Sequence, residues 1–308
     1  MGRRRKGEAI SGWLCFDKPR GLGSTPAVSR VRRVFNAQKG GHAGTLDPLA
    51  EGILPIALGE ATKTIPFMAE AAKTYRFTIA WGSTTTTLDT EGVVTATSEV
   101  RPDLDSLRAA LPRFMGEILQ TPPAFSALKI DGARAYDLAR AGAEVVLAPR
   151  PVLVHRLVCL SAPDRDHVEL EMDCGKGVYV RAIARDLAEA LGAEAHVSWL
   201  RRTRVGPFTE AGAITLESLE ALCHRGAASV ALLPVETALD DIPALALTDE
   251  VASGLMQGRA VMLLPRQVDL LKGRLEASRI VAAFSGSRLV ALCEARAGRL
   301  TPVRVFHL

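Results

Sequence analysis

The amino-acid sequence predicts an α+β protein, built on mostly antiparallel strands flanked by helices and closed by a small β-rich C-terminal domain. Three observations carry that expectation. Strand and helix patterns mix without the regular alternation that builds a parallel βαβ sheet. Two stretches, Tyr75–Trp81 and Val168–Cys174, carry an apolar residue at every second position, with Arg76, Thr78, Glu169, Glu171 and Asp173 between them. An acidic, proline-punctuated segment from Pro234 to Pro243 then separates the main body from further short strand patterns. A chain of 308 residues exceeds what one ordinary core usually covers, so two domains are expected, at 1–238 and 243–308.

Taken in order, the first element is a helix over Ser24–Phe35. Thr25 can cap it, Pro26 suits its first turn, and Val28, Val31 and Phe35 share a face. Arg30, Arg32 and Arg33 fall largely off that face. A glycine-rich loop follows, Gly40-Gly41-His42-Ala43-Gly44-Thr45-Leu46-Asp47-Pro48, shaped by residues that permit positive φ and close backbone approach. The strand at Tyr75–Trp81 puts Tyr75, Phe77, Ile79 and Trp81 on one face and Arg76 and Thr78 on the other. Helices are expected at Asp103–Leu111 and Ala135–Ala141. After Val168–Cys174, Gly175-Lys176-Gly177 breaks the strand. A helix then stacks Ile183, Leu187 and Leu191, with Gly192 placed to end it. Beyond the acidic segment, Arg279–Phe284 and Leu289–Cys293 read as short strands before a basic end at Arg304.

Composition excludes several classes. With 48% apolar and 23% charged residues the chain has the profile of a globular protein. No run approaches the roughly 20 apolar residues of a membrane span, and no apolar stretch follows the basic start, so neither a membrane nor a secretory location is expected. Five cysteines, an odd number without a CxxC pair, suggest reduced thiols in a cytoplasm. Residues 1–40 hold ten Lys/Arg against Glu8 and Asp17, and residues 257–308 hold nine against three acids. Two basic ends suit a polyanionic partner.

Asp47 is the leading candidate for chemistry. It lies in the shaped loop between Leu46 and Pro48, neighbours that can desolvate it, and a carboxylate there calls for a cationic partner. Arg181, just past a strand-to-helix turn, is the candidate partner. Tyr75 suits a platform for a flipped base as well as a core aromatic. Lys176, Arg185 and the cluster Arg201, Arg202, Arg204 read as phosphate contacts or solvated charge. His42 has no HxH, HExxH or acidic cluster beside it, so a metal site is not expected. No P-loop, GxGxxG or GxSxG is present.

Read in order, the motifs closely resemble the TruB family of tRNA pseudouridine-55 synthases. The series runs through Asp17-Lys18-Pro19-Arg20-Gly21, then Gly41-His42-Ala43-Gly44-Thr45-Leu46-Asp47-Pro48-Leu49-Ala50-Glu51-Gly52, Gly59 to Lys63, and Lys73-Thr74-Tyr75-Arg76. It continues through Thr87-Leu88-Asp89-Thr90-Glu91-Gly92, Gln120 to Lys129, Tyr136 to Gly142 and Gly175 to Asp186, covering about residues 10–210. The resemblance implies a pseudouridine-synthase core on a central sheet and a PUA-like C-terminal domain that binds RNA. It implies a tRNA substrate bound at the T-arm, no cofactor, no metal and no guide RNA, in a chain expected to act as a monomer.

The resemblance also assigns roles. Asp47 matches the catalytic aspartate, which attacks either the ribose C1′ or the base. Tyr75 matches the tyrosine that stacks on the target base and takes part in proton transfer, and Arg181 the arginine that pairs with the aspartate. Tyr179 and Leu200 match pocket-lining residues, and His42 a histidine that enters the T-loop where the base has left. Lys18 and Lys129 are expected among the substrate-binding residues. Three rival readings are a guide-RNA-directed synthase, a non-catalytic RNA-folding protein, and a metal nuclease using Asp47, Asp89 and His42.

Overall fold

The computed structural model describes residues 7–126, 128–130, 133–135, 138, 141–143, 145–273 and 279–308, with backbone alone at 129, 130, 133 and 134. The basic Arg3–Lys6 and most of the helix expected at Ala135–Ala141 lie outside the described residues, as does Tyr136.

The strands of the central sheet are β1 (Gly12–Lys18), β2 (Gly40–His42), β3 (Glu51–Leu58), β4 (Lys73–Trp81), β7 (Gly116–Gln120), β10 (Arg150–Ser161), β11 (His167–Cys174), β12 (Ala195–Val205) and β13 (Phe208–Thr209). Their order is β1-β3-β12-β4-β11-β10-β7, with β2 on β3 and β13 on β12. Within it only β12 and β3 run parallel. Two small ribbons lie apart, β5 (Ser83–Thr85) with β6 (Val94–Thr97) and β8 (Lys129–Ile130) with β9 (Ala133–Arg134).

The expected alternation is what joins β4 to β11. Tyr75 opposes Met172, Phe77 opposes Leu170 and Ile79 opposes Val168, all buried on one face. The helices are α1 (Ser24–Val34), α2 (Ile65–Met68), α3 (Leu104–Ala110), α4 (Val180–Ala190), α5 (Leu216–His224), α6 (Asp249–Met256) and α7 (Pro265–Leu271). Ile183 and Leu187 of α4 press on the β4–β11 face together with Val31 and Phe35 at the end of α1. Gly192, at φ +66°, ends α4 as expected. Asp103 caps α3 through a hydrogen bond from the Ser106 amide.

The start of α1 differs from expectation. Gly23, not Thr25, occupies the cap position, and Ser24 opens the helix. The Ser24 hydroxyl donates to the Leu46 carbonyl at 2.9 Å and accepts from the Leu46 amide at 2.8 Å. Its hydrogen bonds therefore tie α1 to the glycine-rich loop and leave the cap to glycine.

A second sheet, of β14 (Ala244–Leu247), β15 (Val261–Met262), β16 (Ile280–Ser285), β17 (Arg288–Arg296) and β18 (Arg299–Val305), runs β14-β16-β17-β18-β15. Val281, Val290 and Leu300 pack on Leu255 of α6. Its other face joins the core: Leu289, Leu292 and Phe306 share a cluster with Trp13, Ile53 and Ala57. The acidic segment before it is no free linker. Val235, Ala238 and Leu239 are buried in that same cluster. Lys63 fastens the seam by donating to the Val305 carbonyl at 2.7 Å and lying 5.7 Å from the Phe306 ring centroid.

Candidate active site

The glycine-rich loop descends from β2 and carries Asp47 to one end of the central sheet. Both ends of the loop are pinned. Leu46 is held by Ser24, and the Pro48 carbonyl accepts from the Gly21 amide at 2.7 Å. Gly44 has φ +87°, and a Cβ there would come 3.3 Å from Nη1 of Arg202, so the position is restricted in both conformation and space.

Asp47 meets Arg181 in the first turn of α4, Nη2 to Oδ2 at 2.6 Å. The arginine is only 4% exposed, whereas 39% of the aspartate side chain remains open to the cleft. Three further acceptors fix the guanidinium: the Thr87 carbonyl at 2.8 Å, the Phe125 carbonyl at 3.0 Å, and Asp89 at 3.3 Å. A buried arginine with this many partners has one orientation, and Asp47 is held by it.

Asp89 is the partner that reading the chemistry of single residues missed; the Thr87–Gly92 motif contained it without showing its role. It is 2% exposed, and its Oδ1 accepts from the Thr87 hydroxyl and from the Glu91 amide. Between the two residues that bind Arg181 stands Leu88, at φ +62°. A leucine in the left-handed region is strained. It persists because the Leu88 carbonyl accepts from the Val197 amide and the Leu88 amide donates to the Thr85 carbonyl. The strain turns the Thr87 carbonyl and the Asp89 carboxylate toward one guanidinium.

Asp47, Tyr75, Tyr179, Arg181 and Leu200 line one cleft of about 320 Å³. Tyr75 is 8% exposed, and burial pushes its hydroxyl above the usual phenol range, partly offset by the charge of Arg202. Burial also raises the Tyr179 hydroxyl, with neighbouring Ser126 acting the other way. Tyr179 caps α4, and buried Gln120 holds its backbone from both sides, accepting from its amide at 2.8 Å and donating to its carbonyl at 3.2 Å.

Two expected substrate contacts sit elsewhere. The Lys18 ammonium is buried beneath the loop, where it donates to the carbonyls of Leu22 (2.6 Å), Pro19 (3.0 Å) and Pro48 (3.4 Å). Burial, partly offset by the charge of Asp47, brings its pKa down to about 8. Its position makes it a support for the Asp47 loop. His42 ends β2 opposite Ile56, half-buried and outside the residues that line the cleft. The Lys129 side chain lies outside the described residues.

The basic cluster also needs correction. Arg202, expected as a phosphate contact or solvated charge, is 1% exposed and donates to backbone carbonyls. Arg201 pairs with Asp17, Glu51 and Glu210. Arg204 bonds Thr74, Arg185 pairs with Asp186, and Lys176 reaches Glu70 at the surface. Charge counting cannot separate a buried arginine from an exposed one, but the alternating burial of β12 does.

This fold and cleft, with an open carboxylate paired to a buried arginine beside a buried tyrosine, define the class as an enzyme. Family comparison agrees with that class. The profile of the TruB family pseudouridylate synthase N-terminal domain matches residues 32–180. That of the tRNA pseudouridylate synthase B C-terminal domain matches residues 181–240. The chain is 66% identical to a tRNA pseudouridine synthase B of Caulobacter vibrioides, with all of both chains covered. It is 53% identical to one of Bradyrhizobium diazoefficiens, covering 99% of this chain and 88% of that one. Among solved structures, a chain of a Cbf5-Nop10-Gar1 complex superposes with a TM-score of 0.73 at 26% identity, over 96% of this chain and 84% of that chain. A chain from an H/ACA RNP bound to a substrate RNA shares the fold, with a TM-score of 0.73 at 22% identity, over 100% and 92%. The chain belongs to the TruB family of pseudouridylate synthases.

Proposed function

We propose that this chain converts uridine 55 in the T-loop of tRNA to pseudouridine, with Asp47 as the essential carboxylate and without cofactor or guide RNA. The observation that carries the reading is the 2.6 Å pair between Asp47 and a buried Arg181, in a cleft that also holds Tyr75. The conversion breaks the bond from N1 to the ribose C1′, turns the ring, and joins C5 to the same carbon. The C5 proton leaves and N1 gains one, so product and substrate have the same atoms.

Asp47 begins this sequence as a nucleophile or a base. Arg181 holds its carboxylate at a fixed angle, and the closed side of the cleft limits competing water. The target base is stacked in folded RNA, so it must be extruded at a cost of a few kcal/mol. Stacking on Tyr75 offsets about 1–3 kcal/mol of that. Leu200 and Tyr179 bound the ring, and His42 enters the T-loop where the base has left. Lys18 acts from beneath by supporting the loop, and Lys129 is a further substrate-binding residue.

In this reading residues 1–238 form the catalytic domain. Residues 243–308 form a PUA-like RNA-binding domain whose basic residues extend the contact with tRNA. The chain acts as a monomer in the cytoplasm; no helix among the described residues is long and apolar enough to cross a membrane. The test is to incubate the purified chain with an unmodified tRNA transcript and no other RNA, then map pseudouridine at single-nucleotide resolution. Product at position 55 alone is expected. Product only on adding a guide RNA would move the reading to a guide-directed synthase.

A further inference from the structure

We infer that Arg202 is a positioning residue for this reaction: one buried side chain fixes both the backbone of the loop that carries Asp47 and the hydroxyl of Tyr75. The inference rests on the proposed function and adds to it a residue that acts through Asp47 and Tyr75.

Three geometric observations support it. Arg202 on β12 stands directly opposite Tyr75 on β4, and opposed residues of an antiparallel pair project from the same face. On its other side, Arg202 pairs with Gly52 of β3. Gly52 has φ +97°, and a Cβ there would fall 2.2 Å from the Arg202 carbonyl, so the strands close on the arginine backbone. The guanidinium then reaches into the loop. Nη2 donates to the Gly44 carbonyl at 3.0 Å, Nη1 to the Thr45 carbonyl at 3.4 Å, and Nε to the Ile53 carbonyl at 2.8 Å. Gly44 and Thr45 are three and two residues from Asp47.

The charge of Arg202 is not spent on an acid. Among the described residues no carboxylate pairs with it, and all three hydrogen bonds run to carbonyls. A guanidinium satisfied by neutral acceptors keeps its charge, and that charge bears on the phenol of Tyr75. Around that phenol stand Arg202 from β12, Cys174 from β11 and Asp47 from the loop. Arg202 favours the ionised hydroxyl; Cys174 and Asp47 oppose it. Lys73, at the start of the same strand, is turned to the Ala69 and Ala71 carbonyls, and Arg181 is committed to Asp47 and Asp89. Arg202 is therefore the cation left to oppose burial at Tyr75.

The test replaces Arg202 in a chain carrying 3,5-difluorotyrosine at position 75, whose ionisation is followed by its fluorine resonance without RNA. Arg202→Met is expected to raise the titration midpoint. It is also expected to slow single-turnover pseudouridine formation at least tenfold, with tRNA affinity nearly unchanged. Arg202→Lys, which keeps the charge, is expected to hold the midpoint near that of the unsubstituted chain. A folded Arg202→Met with an unmoved midpoint overturns the inference, even if its rate falls, because that pattern is a purely structural defect. The side-chain nitrogen resonances of Arg202 in the unsubstituted chain give a second readout, independent of how the variants fold. They must shift as position 75 titrates, and constancy there overturns the inference as well. A fluorine midpoint that moves as expected in a chain that forms no pseudouridine on tRNA would sink the proposed function and leave the contact standing.

Discussion

Arg181 and Arg201 each gather more than one carboxylate, yet the two networks are built for different work. Arg181 is 5% exposed in its side chain and holds Asp47 and Asp89, with two carbonyls completing its shell. Arg201 is about four times as exposed, at 21%, and bridges Asp17 at 2.9 Å, Glu51 at 3.5 Å and Glu210. The second network ties β1 and β3 to the turn after β13, and all its members are partly solvated. Water and salt screen such pairs, so they add little stability and no reactivity. The first network has one solvated member, Asp47, backed by a buried charge that cannot reorient. Burial of the cation beside an open carboxylate is what separates a reactive pair from a brace.

The sharpest way to break that contrast is to remove each arginine. Arg181→Met leaves Asp89 buried without its cation. We expect a loss of about 3–5 kcal/mol of stability, read by denaturant melts, and single-turnover pseudouridine formation slowed by about a thousandfold or more. Tyr75→Phe keeps the stacking ring and removes the hydroxyl. We expect a rate loss of about a hundredfold with tRNA affinity intact, while Tyr75→Leu loses affinity as well.

Lys18 gives a pH test of the loop beneath Asp47. Its folded pKa of about 8 lies below its ordinary 10.5, so between these values the unfolded chain binds more protons than the folded one. Stability due to Lys18 therefore rises with pH across that window, by at most about 3 kcal/mol. Denaturant melts of Lys18→Met should lack that rise; an identical slope would mean the ammonium is hydrated in solution. The smallest effect is expected at the brace. Arg201→Ala should cost about 1 kcal/mol and leave turnover within about twofold. A hundredfold loss there would erase the distinction between the two networks.

Much of this was legible in the chain because the informative residues are local. Period-two alternation placed β4 and β11, and the glycines around His42 marked a shaped loop ending at Asp47. Ordered motifs then tied Asp47, Tyr75 and Arg181 to one family. What stayed hidden depends on distant strands meeting. Arg202 reads as one of three surface arginines until β12 is paired with β3 and β4. Asp89 becomes a partner of Arg181 only because Leu88 takes a left-handed turn that no leucine advertises. Thr25 lost the cap of α1 to Gly23 while Ser24, inside the helix, tied it to a loop 22 residues away. The acidic Pro234–Pro243 segment reads as a domain boundary because its charges and prolines are visible, whereas the burial of Val235 and Leu239 depends on the second sheet.

The central claim is that the open carboxylate of the buried pair does the chemistry, and Asp47→Asn tests it most directly. The substitution keeps the side chain's shape and its contact with Arg181 while removing the charge. Single-turnover pseudouridine formation and tRNA binding would be measured side by side on one unmodified transcript. The account predicts turnover lower by about ten-thousandfold or more, with a dissociation constant within about threefold of the unsubstituted chain. Turnover that survives, or that falls only in step with binding, would contradict it.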